Sequence, residues 1–324
     1  MATIKDVAKL SNLGTSTVSR YFNKTGFVSK ESEEKILKAC KELNYVPNAL
    51  ARAFKTKKTY TICLILPTIS NLFFPELAIV IEQTCIKRGY KVILCNTNED
   101  VHLEKIYLEM IEQSYVDGII VATGERMYKK LNSDIPIVFL DRVDYQTKKY
   151  SIVTSDHKDG AIQASEYLIK TGCKKVLFIE PNKKYGPATL RREGFEQVMK
   201  EHHIPYKCIA LEKMSKSELD ATFRESFDAA FAWNDYAAAN FLDECRSRNI
   251  RVPEEMQLIG YDDIPIAKFL YPKLTTVSQP LEMLAKYAAQ MLIDKIEGIQ
   301  ADDVKVILEN KLVIRNTTKE MLDS

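Results

Sequence analysis

The chain has 324 residues, of which 46% are hydrophobic and 28% are charged, as in an ordinary globular protein. The net charge of +2 is unevenly distributed: residues 1–60 hold 12 Lys and Arg against 5 Asp and Glu, whereas the remaining residues hold 34 against 39. A basic head on a mildly acidic body excludes a uniformly basic surface and indicates that the head is the part that binds a polyanion.

The first residues do not have the basic-then-apolar pattern of a secretion signal, and no apolar run approaches the roughly 20 residues of a membrane span. The 7 Cys are scattered, without a C-x-x-C pair. This pattern favours small core residues in a reducing compartment over a disulfide framework or a metal site. We therefore expect a cytoplasmic protein with no metal and no cofactor.

The basic head begins with a helix-start signal. Thr3 and Asp6 have the spacing of a capping box, which predicts a first helix from Ile4. Asn12 is the residue best able to adopt a left-handed turn, so the helix should break there. A second helix is predicted from about residue 15 to 23 and a third over roughly 30–43.

The second predicted helix has a polar outer face. Val18 and Phe22 are spaced to point inward, which leaves short hydroxyls, one guanidinium and one amide outside. Such side chains suit base edges and phosphates, since Arg pairs with guanine and Asn with adenine. A Ser/Thr-rich helix start is often only a cap. A tight turn, a polar helix and the basic charge together nevertheless indicate a DNA-reading module.

From Tyr60 onward, short β-branched runs alternate with amphipathic helical stretches, which predicts parallel sheets covered by helices on both faces. Ligands of such sheets bind outside the carboxyl ends of the strands. The residues expected there are amides, carboxylates and aromatics, which suit a polyhydroxyl ligand. The predicted strands are 61–66, 91–95, 118–122, 136–140, 175–179, 229–232 and 257–260.

Two other classes of protein share an α/β body. An enzyme such as a dehydrogenase or kinase is disfavoured, because the chain has no G-x-G pair, no phosphate-binding G-x-x-x-x-G-K-S/T loop and no G-x-S-x-G elbow. An exported sugar-binding protein is disfavoured by the basic head and the absence of a signal pattern. The residues favour a DNA-binding regulator that is not an enzyme.

The head carries a set of sequence blocks in a fixed order: Ile4–Ala8, Thr17–Arg20, Val28-Ser29, Leu43–Asn48 and Leu50–Arg52. With these blocks the chain resembles the lactose-repressor (LacI/GalR) family of transcriptional regulators, and the resemblance continues along its whole length. It implies a small all-α helix-turn-helix headpiece and an α/β periplasmic-binding-protein-like body of two doubly wound parallel-sheet subdomains. The implied boundaries are 1–47 for the headpiece, 48–59 for a hinge helix or linker and 60–324 for the body. Within the body, the first subdomain is expected at about 60–157 and 281–304. The second is expected at about 158–280 and 305–324.

In that family the second helix reads the major groove and the hinge helix enters the minor groove of a two-fold operator. Phe54 stands where the family usually has a Leu wedge, and an aromatic wedge is compatible with unstacking a base step. The alternative is that Phe54 packs against the body. The DNA-binding residues implied by the resemblance are Thr3, Thr15, Ser16, Thr17, Ser19, Arg20, Asn23, Asn48, Ala51, Arg52, Phe54 and Lys55.

Family members bind an effector between the two body subdomains. The R-x-x-G-F block at Arg191, the N-D-x-x-A block at Asn234 and the G-Y-D-D block at Gly260 carry this part of the resemblance. Several alternatives stay open: Asp235 could only cap a helix, Phe73 and Phe74 could be core, and Arg191 could pair on the surface while Arg192 takes its role. The implied effector-binding residues are Phe73, Phe74, Asp141, Arg191, Trp233, Asn234, Asp235 and Asp262.

The resemblance implies a homodimeric repressor of carbohydrate-utilisation genes, with double-stranded DNA and a sugar or sugar derivative as partners. A sugar phosphate, a purine or a protein co-regulator is the alternative source of control. The segment 212–227 is shorter than in the family, so we expect one trimmed helix in the second subdomain.

Overall fold

The computed structural model describes residues 2–23, 25–46, 58–113, 116–123, 135–142, 150–183, 186–300 and 302–321. The chain divides into two compact units, one at 1–60 and one at 61–324. None of the helices in the described ranges has the length and apolar character that a membrane crossing requires.

The first unit has three helices: α1 (Ile4–Leu10), α2 (Thr15–Asn23) and α3 (Lys30–Glu42). The predicted capping box is present, since the backbone N–H of Thr3 donates to Asp6 Oδ2 at 2.8 Å. Asn12 has a φ of 55° in the turn between α1 and α2, as predicted. The three helices close on a small core of Val7, Ala8, Val18, Ile36 and Ala39.

The body has twelve strands, eight α-helices and one 3-10 helix (Leu211–Lys213) within its described residues. In chain order the strands and α-helices are β1 (Thr61–Leu66), α4 (Phe73–Lys87), β2 (Lys91–Asn96), α5 (Val101–Gln113), β3 (Gly118–Val121), β4 (Ile137–Leu140), β5 (Ser151–Ser155), α6 (His157–Lys170), β6 (Val176–Ile179), α7 (Gly186–Glu201), β7 (Tyr206–Ile209), α8 (Lys216–Phe223), β8 (Ala229–Ala232), α9 (Asp235–Ser247), β9 (Gln257–Asp262), α10 (Ile266–Phe269), β10 (Thr275–Ser278), α11 (Leu281–Glu297), β11 (Lys305–Leu308) and β12 (Lys311–Val313).

The strands form two sheets of six, which confirms the predicted fold class. The first has the order β11-β5-β4-β3-β1-β2 and is parallel throughout. The second has the order β12-β10-β9-β8-β6-β7, and only its pair β10–β12 is antiparallel. In both sheets the carboxyl ends of the parallel strands meet at one edge, which is where a ligand site is expected.

The chain passes between the two sheets three times, after β5, after β10 and after β11. The last passage differs from the prediction, which assigned residues from 305 onward to the second subdomain. Lys305–Leu308 instead pairs with Ser151–Ser155 and completes the edge of the first sheet. The reason is that β11 extends the parallel ladder beside β5, so the chain leaves the first subdomain only after Leu308.

Two of the free cysteines pack together in the core of the first sheet. Cys63 on β1 and Cys95 on β2 are 0% and 1% exposed, and their sulfurs lie 3.5 Å apart. Within the described residues, no group of three or more His, Cys, Asp or Glu side chains has an arrangement that could hold a metal ion. The segment 212–227 contains the eight-residue helix α8, which begins with a capping box at Ser215 and Glu218.

Candidate functional site

The polar face of α2 is the candidate DNA interface. Thr15, Ser16 and Arg20 are exposed on it, whereas Thr17 and Ser19 are half-buried. Two other predicted contacts are already engaged within the headpiece: Asn23 Nδ2 donates to Ser19 Oγ at 3.1 Å, and Thr3 Oγ1 donates to Asp6 Oδ2 at 2.7 Å. Thr3 must release its bond to Asp6 before its hydroxyl can donate to a phosphate, whereas Asn23 keeps a second N–H and its carbonyl oxygen for a base.

The remaining predicted DNA-binding residues, Asn48, Ala51, Arg52, Phe54 and Lys55, lie outside the described residues. Their roles therefore stay predictions.

Two predicted effector residues occupy the carboxyl ends of strands, one in each sheet. Asp141 follows β4 with a φ of 66°, and Asp262 ends β9 with a φ of 109°. A residue with a Cβ is strained at positive φ, and such strain concentrates at functional sites. Both side chains are nearly buried, at 3% and 7% exposure.

Arg191 on α7 connects the groups of the second sheet. Its Nη2 lies 3.2 Å from Asp262 Oδ1, its Nη1 donates to the carbonyl of Trp233 at 2.5 Å, and its guanidinium stacks 3.6 Å over the ring of Tyr261. The alternative of a surface pair is wrong, because Arg191 is 3% exposed while Arg192 makes the surface pairs, with Glu180 and Glu196.

The carboxylate of Asp262 is also tied to the first subdomain. Gln279 Nε2 donates to Asp262 Oδ1 at 2.8 Å, and Ser155 Oγ donates to Gln279 Oε1 at 2.7 Å. Burial raises the pKa of Asp262 to about 6, against the opposing effect of Arg191. The carboxyl group of Asp262 therefore loses or gains its proton near pH 6.

Asp141 is paired with His157, the first residue of α6, whose Nε2 lies 2.8 Å from Asp141 Oδ1. Burial raises the pKa of Asp141, but His157 and Arg191 outweigh burial, so the pKa lies below its usual range. Burial lowers the pKa of His157, and Asp141 only partly offsets this. The pair is a charged carboxylate held by a neutral imidazole.

A cleft of about 460 Å³ opens beside this network. Tyr236 Oη donates to the carbonyl of Ser70 across it at 3.1 Å, and Lys183 Nζ lies 3.9 Å from Glu99 Oε2 at its rim. Its walls come from segments that follow strands of both sheets, among them Thr68, Asn71, Glu99, Arg142, Glu180, Asn182, Leu211, Trp233, Asn234 and Tyr236. Trp233 and Asn234 thus lie where they were predicted, at the cleft.

Asp141, Arg191 and Asp262 are themselves nearly buried and lie behind the cleft wall, and the three other predicted residues also lie inside the protein. Phe73 and Phe74 are each 2% exposed and pack edge to face at 5.3 Å, so the core alternative holds for both. Asp235 is fully buried; it accepts from the backbone N–H of Ile264 at 2.9 Å and from Thr276 Oγ1 at 2.5 Å. Asn234, not Asp235, caps α9, through its bond from the Ala237 N–H at 2.8 Å.

Sequence reasoning did not select four residues that the structure brings to the site: Arg142, His157, Tyr236 and Gln279. Arg142 stands directly after Asp141, and it pairs with Glu99 at 3.0 Å and lies 5.1 Å over the ring of Phe74. Gln279 lies in the L-T-T-V-x-Q-P block, so its position after a strand was a usable signal. A single His at a helix start has no comparable pattern.

Two family models match the chain. Residues 3–48 match bacterial regulatory proteins, lacI family, and residues 165–318 match the periplasmic binding protein-like domain. The ribose operon repressor of Halalkalibacterium halodurans is 39% identical over 98% of each chain. The HTH-type transcriptional repressor PurR of Haemophilus influenzae is 34% identical over 99% of this chain and 100% of the relative.

A solved structure is similar to the body. It is a periplasmic binding protein/LacI transcriptional regulator from Alkaliphilus metalliredigens complexed with D-xylulofuranose, with 33% identity, a TM-score of 0.72 and coverage of 81% of this chain and 100% of that chain. With relatives above 30% identity over nearly the whole chain, the chain belongs to the lacI family of bacterial regulatory proteins and is a DNA-binding transcriptional regulator rather than an enzyme.

Proposed function

We propose that this protein is a cytoplasmic, homodimeric repressor of carbohydrate-utilisation genes whose effector is a pentose. Each headpiece binds one half of a two-fold operator through α2, and the sugar binds between the two sheets of the body. The effector acts through a difference in affinity between the DNA-competent and DNA-incompetent states of the body.

The observation that carries this proposal is the buried network of Asp141, Arg191 and Asp262, which lies behind the cleft wall and joins it where Arg191 binds the carbonyl of Trp233. Two carboxylates accept from hydroxyls and a guanidinium donates to them, which is the complement that a small polyhydroxyl ligand needs. The volume of about 460 Å³ lies in the range of small-molecule sites. The ribose operon repressor at 39% identity and the D-xylulofuranose complex at 33% identity support a five-carbon sugar.

A purine is the competing effector, because the PurR relative is 34% identical. A purine ring gains binding energy by stacking on aromatic faces. Phe73 and Phe74 are each 2% exposed and present no free face, which leaves the half-buried Trp233 on the cleft wall. This favours a sugar ring, which one aromatic surface can support.

A sugar phosphate is disfavoured because the cationic side chains near the cleft are already close to carboxylates. Lys183 lies 3.9 Å from Glu99, and Arg192 pairs with Glu180 and Glu196, each at 2.7 Å. A phosphate would have to displace these carboxylates, whereas a neutral sugar would not.

The homodimer is supported by two exposed apolar regions of the body. One is on α4 and the edge strand β2, where Ile79, Ile86 and Leu94 are 54%, 58% and 45% exposed. The other is at the end of α10, where Phe269 and Tyr271 are both 84% exposed. Exposed apolar residues grouped in this way mark protein contacts.

The test is a thermal-shift panel of D-ribose, D-xylulose, D-glucose, ribose 5-phosphate, guanine and hypoxanthine. Binding to a two-fold site selected from random DNA is measured alongside, by fluorescence anisotropy. A ligand at 100 times its Kd adds about 2.7 kcal/mol of stability. We expect a pentose to raise the melting temperature and to change operator affinity. A response only to guanine or hypoxanthine would replace the pentose by a purine, and silence across the panel would favour a protein co-regulator.

A further inference from the structure

His157 is a buried titratable residue at the first passage between the two sheets. It is 1% exposed and begins α6 directly after the chain leaves β5. On one side it meets Asp141, which follows a strand of the first sheet, and on the other it meets Arg191 on a helix of the second subdomain. One imidazole thus lies between the candidate effector groups of the two subdomains.

The partners determine which ring nitrogen carries the proton. Arg191 can only donate, and its Nε and Nη2 lie 3.4 and 3.3 Å from His157 Nδ1. Nδ1 must therefore accept, which leaves the proton on Nε2 to be donated to Asp141 at 2.8 Å. A proton on both nitrogens would place an N–H against the guanidinium.

We propose that His157 is a positioning residue of the effector site: as a neutral ring with its proton on Nε2, it holds Asp141 and Arg191 in the orientation in which they meet the sugar. The role rests on the proposed function, because it concerns the same site. His157 also links the two subdomains. A shift of β4 relative to α7 would change both the bond from His157 to Asp141 and the bond from Arg191 to His157.

The surroundings of the ring support the neutral form. The charged groups around it are Asp141, Arg191 and Asp156, the last of which caps α6, and the ring of Tyr261 lies 6.0 Å away. Complete burial opposes a charge on the imidazole more strongly than the two carboxylates favour it.

The first test needs no effector. Long-range proton–nitrogen spectra of the free, full-length protein with ¹⁵N-labelled histidine report the tautomer of each ring, and the His157→Gln variant identifies its signal among those of His102, His202 and His203. We expect a ring that keeps one proton, on Nε2, from pH 7 to 8, because the pKa of His157 lies below its usual value. A proton on Nδ1, or protonation of both nitrogens in this range, would overturn the proposal.

The second test compares two variants in D-ribose binding by isothermal titration calorimetry. His157→Leu removes both hydrogen bonds and should weaken binding by about tenfold to a hundredfold. His157→Gln can accept with its oxygen and donate with its nitrogen, so it should restore affinity to within about threefold of wild type. Equal weakening in both variants would mean that shape alone matters and would overturn the positioning role. Failure of wild type to bind D-ribose would count against the proposed effector, and the tautomer experiment would still decide the arrangement of His157.

Discussion

The hydroxyl of Tyr236 donates to the carbonyl of Ser70 at 3.1 Å, which joins the start of α9 in the second subdomain to the segment after β1 in the first. The two residues are 166 positions apart in sequence. Both residues line the cleft, so the bond joins its two walls. Tyr236, which follows the Asn234-Asp235 pair, therefore helps to hold the cleft closed.

Removal of this hydroxyl should shorten the lifetime of the complex. A neutral hydrogen bond contributes about 0.5–1.5 kcal/mol, so Tyr236→Phe should raise the effector dissociation rate by about twofold to tenfold. Stopped-flow fluorescence of Trp233 measures the rate. Tyr206→Phe on β7 removes a hydroxyl from the same subdomain away from this contact and should leave the rate unchanged. Equal rates in wild type and Tyr236→Phe would show that the bond does not limit release.

A substitution on the polar face of α2 should weaken DNA binding without changing effector binding. Arg20→Ala should reduce affinity for the selected operator by about 1–3 kcal/mol, the value of a two-pronged contact to a base. Its effector-induced thermal shift should stay at the wild-type value, because Arg20 belongs to the other compact unit. Anisotropy and thermal shift measure the two properties. Lys216→Ala, which removes one exposed positive charge from the body, is the matched control, and an operator affinity equal to that control would contradict the assignment of Arg20.

Effector affinity should fall with acidity. The pKa of Asp262 is raised to about 6, because burial outweighs the pairing with Arg191. The sugar needs the ionised carboxylate as acceptor, so below pH 6 a proton must first be removed, and affinity should drop by about tenfold per pH unit. Above pH 7 it should be constant. Calorimetry from pH 5 to 8 measures this, and Asp262→Asn, which cannot ionise, should bind weakly with no dependence on pH in that range. A wild-type profile without a change near pH 6 would contradict the role of Asp262.

Asp235 should contribute to stability rather than to effector binding. Its two carboxylate oxygens hold the backbone of Ile264 and the hydroxyl of Thr276, and a Cβ at Gly260 would lie 2.4 Å from Asp235 Oδ1. Asp235→Ala leaves these groups unsatisfied and should lower the free energy of unfolding by about 1–3 kcal/mol per lost partner. Asp235→Asn keeps the shape and should cost less.

Urea unfolding and effector titration distinguish the two roles of Asp235. We expect Asp235→Asn to bind the effector with nearly wild-type affinity. A tenfold loss of effector affinity at unchanged stability would show that Asp235 belongs to the effector site.

The helices of the headpiece could be predicted because their signals are local. The Thr3–Asp6 capping box and the turn residue Asn12 act over three or four residues, and the structure has both where the pattern predicts them. The buried central strands were equally readable, since a continuous apolar run such as Thr61–Leu66 has few alternatives. Five strands were not predicted: β5, β7, β10, β11 and β12. One of them, Lys305–Leu308, alternates between exposed and half-buried residues, and its place in the first sheet depends on pairing with β5.

The identity of the candidate site residues came from sequence blocks that resemble those of the family, but their arrangement did not. Asp141, Arg191 and Asp262 were selected, and all three lie together. Asp235 was selected from the same N-D pair as Asn234 and points into the subdomain instead. Adjacent residues at a strand end face opposite directions, so a motif alone does not tell which side chain reaches the cleft.

By itself the sequence predicted a basic three-helix DNA reader joined to an α/β body of parallel sheets, because charge distribution, periodicity and capping are local properties of the chain. The division of that body into two subdomains came from the resemblance to the family. Only the tertiary structure decided that His157 and Gln279 join the site, that Phe73 and Phe74 are core, and that Tyr236 reaches Ser70. These facts depend on contacts between residues far apart in sequence, which arise only when the two sheets fold and the three passages of the chain bring their strand ends together.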